Sequence, residues 1–419
     1  MADERTFVIV GASLTGAKAA ETLRADGFTG RIILIGEETE RPYERPPLSK
    51  DHLHGKEGAR EKAFVHEPGW YAEHDVDLRL ATRVTHLNPA THVLVLDGVD
   101  ELRYDRLLLA TGSRVRTLDV PGHDLHGVRY LRTLDESDAL LEHLRTAANV
   151  VVIGAGWIGL ETAAAARHHG ANVTVVEQAS LPLRQVLGDE VAAVFRDLHE
   201  AHGVTFRFGT GVASFGGTGA LSSVVLTDGT ELPADVAVVG IGIQPNTELA
   251  VDGGLAVDNG VLVSANLATS APDVYAAGDV VNLDHPLLGR RVRVEHWANA
   301  LNGGKAAGKA LLGSEEVVYD RVPYFFSDQY DLGMEYSGFA VPGEYDTVVF
   351  RGDPAVRDGK APEFIAFWVK DGRVLAGMNA NVWDVTDPIQ ALVRAGYKGT
   401  AVDLAKLADP DVPLDQLLG

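Results

Sequence analysis

The residues in this chain that most clearly announce chemistry are glycines. Gly154-x-Gly156-x-x-Gly159 follows the apolar run Val151-Val152-Ile153 and opens onto the Ala-rich stretch 160–166. A second apolar run, Val173-Thr174-Val175-Val176, ends in Glu177, 23 residues past Gly154. In a strand–turn–helix unit the first glycine permits the tight turn. The second lets backbone approach a pyrophosphate, and the third lets helix pack on strand. The helix N-terminus then offers N–H donors and positive potential to phosphates, and an acid at the second strand end accepts hydrogen bonds from a ribose. The chemistry indicated is dinucleotide binding. A glycine turn without a ligand is the plain alternative, but strand, helix and acid all fall in register.

A second copy lies 143 residues earlier. Val8-Ile9-Val10 leads into Gly11-Ala12-Ser13-Leu14-Thr15-Gly16, then the helix-like stretch 17–23, then Ile32-Ile33-Leu34-Ile35-Gly36-Glu37. Here Ser13 replaces the middle glycine and adds a Cβ and a hydroxyl. Ala110-Thr111-Gly112-Ser113 and Val274-Tyr275-Ala276-Ala277-Gly278-Asp279-Val280 each read as a strand running into a small-residue turn. Apolar strands alternating with helices point to parallel sheets covered on both faces. The predicted fold class is therefore α/β with two Rossmann-like dinucleotide-binding domains.

The remaining chain must position these units. At 419 residues it has room for about three domains of ~150 residues. Residues 204–242 read as a β-meander turning at Asp228-Gly229. After Pro323 the texture changes to aromatic-rich strands near 324–326, 347–351, 364–369 and 374–378, followed by a polar helix. That texture predicts a third, α+β domain.

Composition excludes several functions. The net charge of −22 repels phosphate backbones and anionic lipid, so neither nucleic acid nor membrane is an expected partner. There is no cysteine, which removes disulfides, thiolate metal sites and thiol catalysis. His52-x-His54, His168-His169 and His199-x-x-His202 lack a third ligand at recognisable spacing, so no metal is expected. No Ser/His/Asp nucleophile signature occurs. The apolar stretch 150–160 is about half of the ~20 residues that span a bilayer. With no leader-like pattern at the start, a cytoplasmic location is expected.

Four further motifs stand in order: Arg41-Pro42-Tyr43-Glu44-Arg45-Pro46-Pro47-Leu48-Ser49-Lys50, Tyr130-Leu131-Arg132-Thr133, Val294-Glu295-His296-Trp297-x-Asn299-Ala300, and Pro323-x-x-x-Ser327-Asp328-Gln329-Tyr330-Asp331. With the two glycine units, the chain resembles flavoproteins of the glutathione-reductase fold. More closely, it resembles the NADH-dependent ferredoxin reductases of bacterial oxygenase and haem-monooxygenase systems. The resemblance implies an FAD-binding domain at 1–115 and 245–322, an NADH-binding domain at 116–244 and a C-terminal α+β domain at 323–419. It implies noncovalent FAD, NADH as donor, a ferredoxin partner serving a terminal oxygenase, and a monomer or homodimer.

Carried over residue by residue, the resemblance gives Gly11, Ser13, Leu14, Thr15 and Gly16 to the FAD pyrophosphate, and Glu37, or its neighbour Glu38, to the adenosine ribose. Arg45 and Lys50 would lie over pyrophosphate and isoalloxazine, with Val84 against the adenine. Ala110, Thr111, Gly112, Arg132, Gly278, Asp279, Glu295, His296 and Trp297 complete the FAD set. NADH would take Gly154, Gly156, Ile158, Gly159, Glu177 and Gly242. In the wider fold a Lys–Glu pair lies beside flavin N5; here the matching residues are Lys50 and Glu161, the expected catalytic pair. A buried cation there favours an anionic reduced flavin, and its carboxylate partner makes the burial tolerable.

The missing cysteines exclude the disulfide and peroxide reductases of this fold. Tyr324 and Phe326 stand where the resembling family often has tryptophan. Arg290-Arg291-x-Arg293 is either a contact for an acidic iron–sulfur protein or a solvated strand edge. Rival readings are a rubredoxin reductase or other electron-chain reductase, and a flavoprotein similar to apoptosis-inducing factor.

Overall fold

The computed structural model describes residues 3–314 and 316–418. They form two compact units. The first gathers the chain up to Glu44, then Glu61–Arg114 and Ile243–Pro323; the second gathers Arg45–Arg60, Val115–Gly242 and the chain from Tyr324 onward.

The first unit is built on a parallel sheet in the order Val274–Ala276, Arg106–Leu109, Thr6–Val10, Arg31–Ile35, Val76–Arg79. Its central strands are apolar at nearly every position because both faces are covered: Phe7, Val8, Ile9, Ile32, Ile33 and Leu34 are fully buried. Helix Leu14–Ala25 packs on helix Trp297–Leu311 through small residues. A Cβ on Gly304 would lie 2.4 Å from the Thr15 carbonyl oxygen.

The second unit repeats this plan. Its parallel sheet runs Val204–Phe208, Asn172–Glu177, Asn149–Ile153, Val236–Val239, Val128–Arg129. The edge strand beside Arg106–Leu109 in the first unit, Val274–Ala276, comes late in the chain, whereas the edge strand beside Val236–Val239 in the second, Val128–Arg129, comes early. Each unit also carries a three-stranded antiparallel meander: Val84–Asn88, Val93–Leu96 and Asp100–Arg103 in one, Val212–Thr218, Ala220–Leu226 and Glu231–Pro233 in the other. The meander predicted over 204–242 is thus shorter. Val204–Phe208 and Val236–Val239 belong to the parallel sheet, and the unbroken burial of the latter suits an inner strand.

From Tyr324 the chain forms a five-stranded antiparallel sheet in the order Tyr324–Gln329, Leu332–Gly338, Arg373–Ala380, Phe364–Lys370, Thr347–Gly352, covered by helix Thr386–Tyr397. The sequence reading missed Leu332–Gly338. It follows a two-residue turn at Tyr330-Asp331 with Tyr330 at φ +56°, a position where an aromatic residue gives no turn signal. Within the second unit, Leu53, Phe195, Phe325, Met334 and Trp368 share one hydrophobic core. Among the described residues, no helix is long and apolar enough to cross a membrane.

Candidate functional site

Both glycine motifs sit where a parallel strand gives way to a helix. In the second unit Gly154 adopts φ +97°, and a Cβ there would lie 2.3 Å from the Gly240 carbonyl oxygen. At Gly159 a Cβ would lie 2.1 Å from the Gly154 carbonyl oxygen, so these two glycines serve packing. Gly156 is different. It is exposed at the cap of helix Trp157–His168, and a Cβ built on it meets nothing within 4 Å. The second position therefore fronts an open cradle, facing the first-turn N–H groups of a helix with no acidic residue in that turn. Ile158 is exposed at the same helix start, and Gly242, at φ +98°, lies in the loop that closes against Gly154. The residues present fit a dinucleotide pyrophosphate.

Glu177 is more firmly held than its spacing reveals. Its two carboxylate oxygens accept hydrogen bonds from the backbone N–H groups of Ala155 and Ala179, each at 2.8 Å. The carboxylate is fixed at the cradle edge, with lone pairs remaining for further donors.

The first unit reproduces the cradle with one change. Gly11 adopts φ +120°, and a Cβ there would lie 2.0 Å from the Ala110 carbonyl oxygen, as Gly154 meets Gly240. Ala110-Thr111-Gly112 is thus the counterpart of Gly240-Ile241-Gly242, a pairing that their dissimilar side chains hide in sequence. Asn246 clamps this loop: its side chain donates to the Thr111 carbonyl (2.8 Å), and its backbone N–H donates to the Gly112 carbonyl (2.9 Å). Ser13 caps helix Leu14–Ala25 in an extended conformation, yet its hydroxyl makes no capping bond. That helix too has no acid in its first turn. Leu14, Thr15 and Gly16 are buried at the helix start, where their backbone N–H groups are among the first-turn donors. This donor set fits a second pyrophosphate.

The acids at the two strand ends are not equivalent. Gly11 N–H donates to Ile35 and Gly154 N–H to Val176, both at 2.8 Å, so Ile35 matches Val176 and Gly36 matches Glu177. Glu37 lies one residue farther out, with its carboxylate exposed and 3.7 Å from Arg83. Glu38 is partly buried and accepts a hydrogen bond from the Tyr43 hydroxyl. Val84 is half-buried at the start of its strand. Gly278 abuts Thr15, and Asp279 sits near His296, the residue capping helix Trp297–Leu311. Burial holds the His296 imidazole down to about 4, against the pull of Asp279. Glu295 pairs with Arg293.

Lys50 and Glu161, expected as a pair, do meet. Both belong to the second unit, and Lys50 Nζ donates to Glu161 Oε1 at 2.7 Å. The short 3-10 turn Pro46–Ser49 aims Lys50, with Pro46 and Pro47 fixing its entry. The turn is tied down on two sides: the Leu48 carbonyl accepts from Ser137, and Leu53 is fully buried. Ser49 and Ser327, neither singled out chemically from the sequence, also donate to the Glu161 carboxylate, at 2.5 and 2.7 Å. Lys50 Nζ stands 5.2 Å from the centroid of the Phe326 ring, within cation–π range. Arg45 donates to the Arg132 carbonyl, just ahead of the capping box formed by Thr133 and Glu136. Tyr324 donates its hydroxyl to Glu335 at 2.6 Å.

The basic run is largely engaged within the first unit. Arg291 donates to the carbonyls of Val263 and Asn282, and Arg293 pairs with Glu295. That favours a strand-edge role for Arg291 and Arg293.

Residues 5–304 match the family described as pyridine nucleotide-disulphide oxidoreductase, and residues 324–418 match the one described as reductase C-terminal. The ferredoxin–NAD(+) reductase component of the anthranilate 1,2-dioxygenase system of Burkholderia cepacia is 40% identical over 412 residues, 98% of this chain and 99% of that protein. Putidaredoxin reductase of Pseudomonas putida is 38% identical, covering 88% of this chain and 87% of that protein. The crystal structure of a covalent putidaredoxin reductase–putidaredoxin complex superposes with a TM-score of 0.91 at 35% identity, covering 100% of this chain and 98% of that one.

Proposed function

Because the chain belongs to the pyridine nucleotide-disulphide oxidoreductase family and carries a reductase C-terminal domain, we propose that it is an NADH:ferredoxin oxidoreductase with noncovalent FAD, serving an oxygenase or haem monooxygenase. The observation that carries this reading is end-to-end likeness to a reductase of a dioxygenase system in a chain without cysteine. FAD, when bound, supplies a two-electron acceptor for the hydride of NADH and a one-electron donor for an iron–sulfur protein.

The chain's own residues divide the work. Gly11, Ser13, Leu14, Thr15 and Gly16 present backbone and hydroxyl donors to the FAD pyrophosphate, with Glu37 toward its ribose and Val84 toward its adenine. Ala110, Thr111, Gly112, Gly278, Asp279, Glu295, His296 and Trp297 belong to the same cofactor's surroundings, and the family resemblance adds Arg45, Lys50 and Arg132. Gly154, Gly156, Ile158, Gly159 and Gly242 shape the NADH cradle, and Glu177 reads its ribose. Lys50 brings positive charge, and Glu161 holds that charge in place. On this reading residues 1–115 and 245–322 serve FAD, 116–244 serve NADH and 323–419 form the C-terminal domain. The proposal includes a cytoplasmic location, where NADH is available.

The test is anaerobic. NADH should bleach the yellow protein, and an iron–sulfur ferredoxin should restore its colour and support steady reduction of cytochrome c. A flavin that NADH does not bleach, or a bleached flavin that leaves the ferredoxin oxidised, would overturn the assignment.

A further inference from the structure

Strand Tyr324–Gln329 buries Phe325, Ser327 and Gln329 on one face and carries Tyr324, Phe326 and Asp328 on the other. Its buried polar face begins a chain of hydrogen bonds that ends on Glu161. Tyr330 donates its hydroxyl to His199 Nδ1 at 3.3 Å, and His199 Nε2 donates to Gln329 Oε1 at 2.8 Å. Gln329 Nε2 then donates to Ser327 Oγ at 3.0 Å, and Ser327 donates to Glu161 Oε1 at 2.7 Å. Glu161, Ser327, Gln329 and His199 are each no more than 2% exposed.

Each link removes a freedom from the next. A lone serine hydroxyl can rotate to any acceptor. Here the Gln329 N–H occupies its acceptor side, so its own hydrogen is left for Glu161. The directions follow from the acceptor-only Glu161 carboxylate: Ser327 must donate to it, so Gln329 turns its N–H to Ser327 and its oxygen to His199. That makes Nε2 the protonated nitrogen and leaves Nδ1 to accept from Tyr330. All four donors therefore point toward the carboxylate, and bonds aligned in this way polarise one another. Apolar side chains would fill the same space without the desolvation cost of a buried polar chain.

We propose that Ser327, Gln329 and His199 are positioning residues that act through Glu161 on Lys50, holding the carboxylate in one place and the ammonium with it. The proposal rests on the reading of this protein as an NADH-reduced flavoprotein. Burial pushes the His199 imidazole down to about 4, helped by His202 and opposed by the bond to Gln329, so the neutral ring keeps both of its roles near neutral pH. The other charged groups facing this chain are Lys50 and Asp328 at its Glu161 end, with Asp51 and Lys56 beyond Asp328, and His202 and Arg167 at its Tyr330 end.

The test compares the FAD-loaded wild type with Ser327→Ala, Ser327→Thr and His199→Phe, using stopped-flow reduction by NADH between pH 5 and 9, the flavin midpoint potential and thermal unfolding. Ser327→Ala should slow reduction by roughly tenfold, the weight of one hydrogen bond to a charged acceptor. It should also shift the pH profile and the midpoint potential, and Ser327→Thr should restore all three. His199→Phe should move them in the same direction by a smaller factor. In nitrogen-15 histidine spectra, His199 should be the Nε2–H tautomer at pH 7 and should stay neutral to below pH 5. Wild-type rates, pH profile and potential in Ser327→Ala and His199→Phe, with only the melting temperature lowered, would overturn the proposal; so would an Nδ1–H tautomer at His199. A wild type that NADH fails to bleach would instead overturn the functional reading itself.

Discussion

Lys50 and Glu161 stand 111 positions apart in the chain and meet at 2.7 Å, with the carboxylate 2% exposed and the lysine side chain 13%. Removing the cation should therefore affect both stability and rate. Lys50→Met leaves Glu161 with the hydroxyls of Ser49 and Ser327, so the carboxylate is not stripped of donors. We expect a loss of about 3 kcal/mol, the lower end for breaking a buried pair, and slower flavin reduction by NADH. Denaturant titration and stopped flow measure the two effects. An unchanged reduction rate would remove Lys50 from the chemistry.

The two glycines of the second cradle should respond in opposite ways. Gly156→Ala adds a methyl into open space, so the fold should persist while NADH binding weakens. Gly154→Ala places a Cβ 2.3 Å from the Gly240 carbonyl oxygen at φ +97°, so the strand–turn–helix junction itself should fail. Circular dichroism and NADH titration separate the cases. A well-folded Gly154→Ala, or a Gly156→Ala with undiminished NADH affinity, would contradict the distinction.

These contrasts show what was legible in the sequence. The cradles were, because a glycine turn between an apolar strand and a helix leaves a fixed spacing. The Lys50–Glu161 pair was not legible from spacing, since 111 residues separate its members; only family resemblance brought them together. Ser49, Ser327 and Asn246 were missed as functional groups, because a serine or asparagine gains its role from what folds against it. The loop Gly240-Ile241-Gly242 escaped pairing with Ala110-Thr111-Gly112 because backbone position, not side-chain type, makes them equivalent.

Stability should fall in acid through histidines that fold in the neutral form. Burial holds His66, His199 and His296 down to about 4, from 6.5 for a free imidazole. Between those values the unfolded chain binds more protons than the folded one, so stability declines as pH drops from 6.5 to 4. For His199 alone, fully buried, the span corresponds to about 3 kcal/mol. Melting temperatures at saturating FAD should trace this slope, and His199→Gln should flatten it. A slope unchanged by that substitution would show that His199 does not contribute.

The choice of nicotinamide should follow from how Glu177 is held. The carboxylate closes strand Asn172–Glu177 and is pinned by backbone N–H groups of Ala155 and Ala179, at 2.8 Å each. It cannot swing aside when a ligand arrives. Ribose hydroxyls can donate to its remaining lone pairs, whereas a 2′-phosphate would meet a fixed like charge in partly desolvated surroundings. No cation is at hand nearby in sequence: Gln178, Ala179 and Ser180 are uncharged, and Arg184 is paired with Asp189 at 2.5 Å. We therefore expect NADH to be preferred by at least ~10-fold in kcat/KM, since one adverse contact of about 1.4 kcal/mol gives that ratio. Glu177→Gln removes the charge while keeping an acceptor for one of the two N–H groups, so the cradle should survive and the preference should narrow through a lower KM for NADPH. Glu177→Arg adds an attractive cation but gives up both backbone bonds, so it should improve NADPH use at the expense of NADH affinity. The flavin spectrum should stay the same in both. Equal use of the two nucleotides by the wild type, or a Glu177→Gln variant that rejects NADPH as strongly as before, would show that Glu177 does not read the ribose.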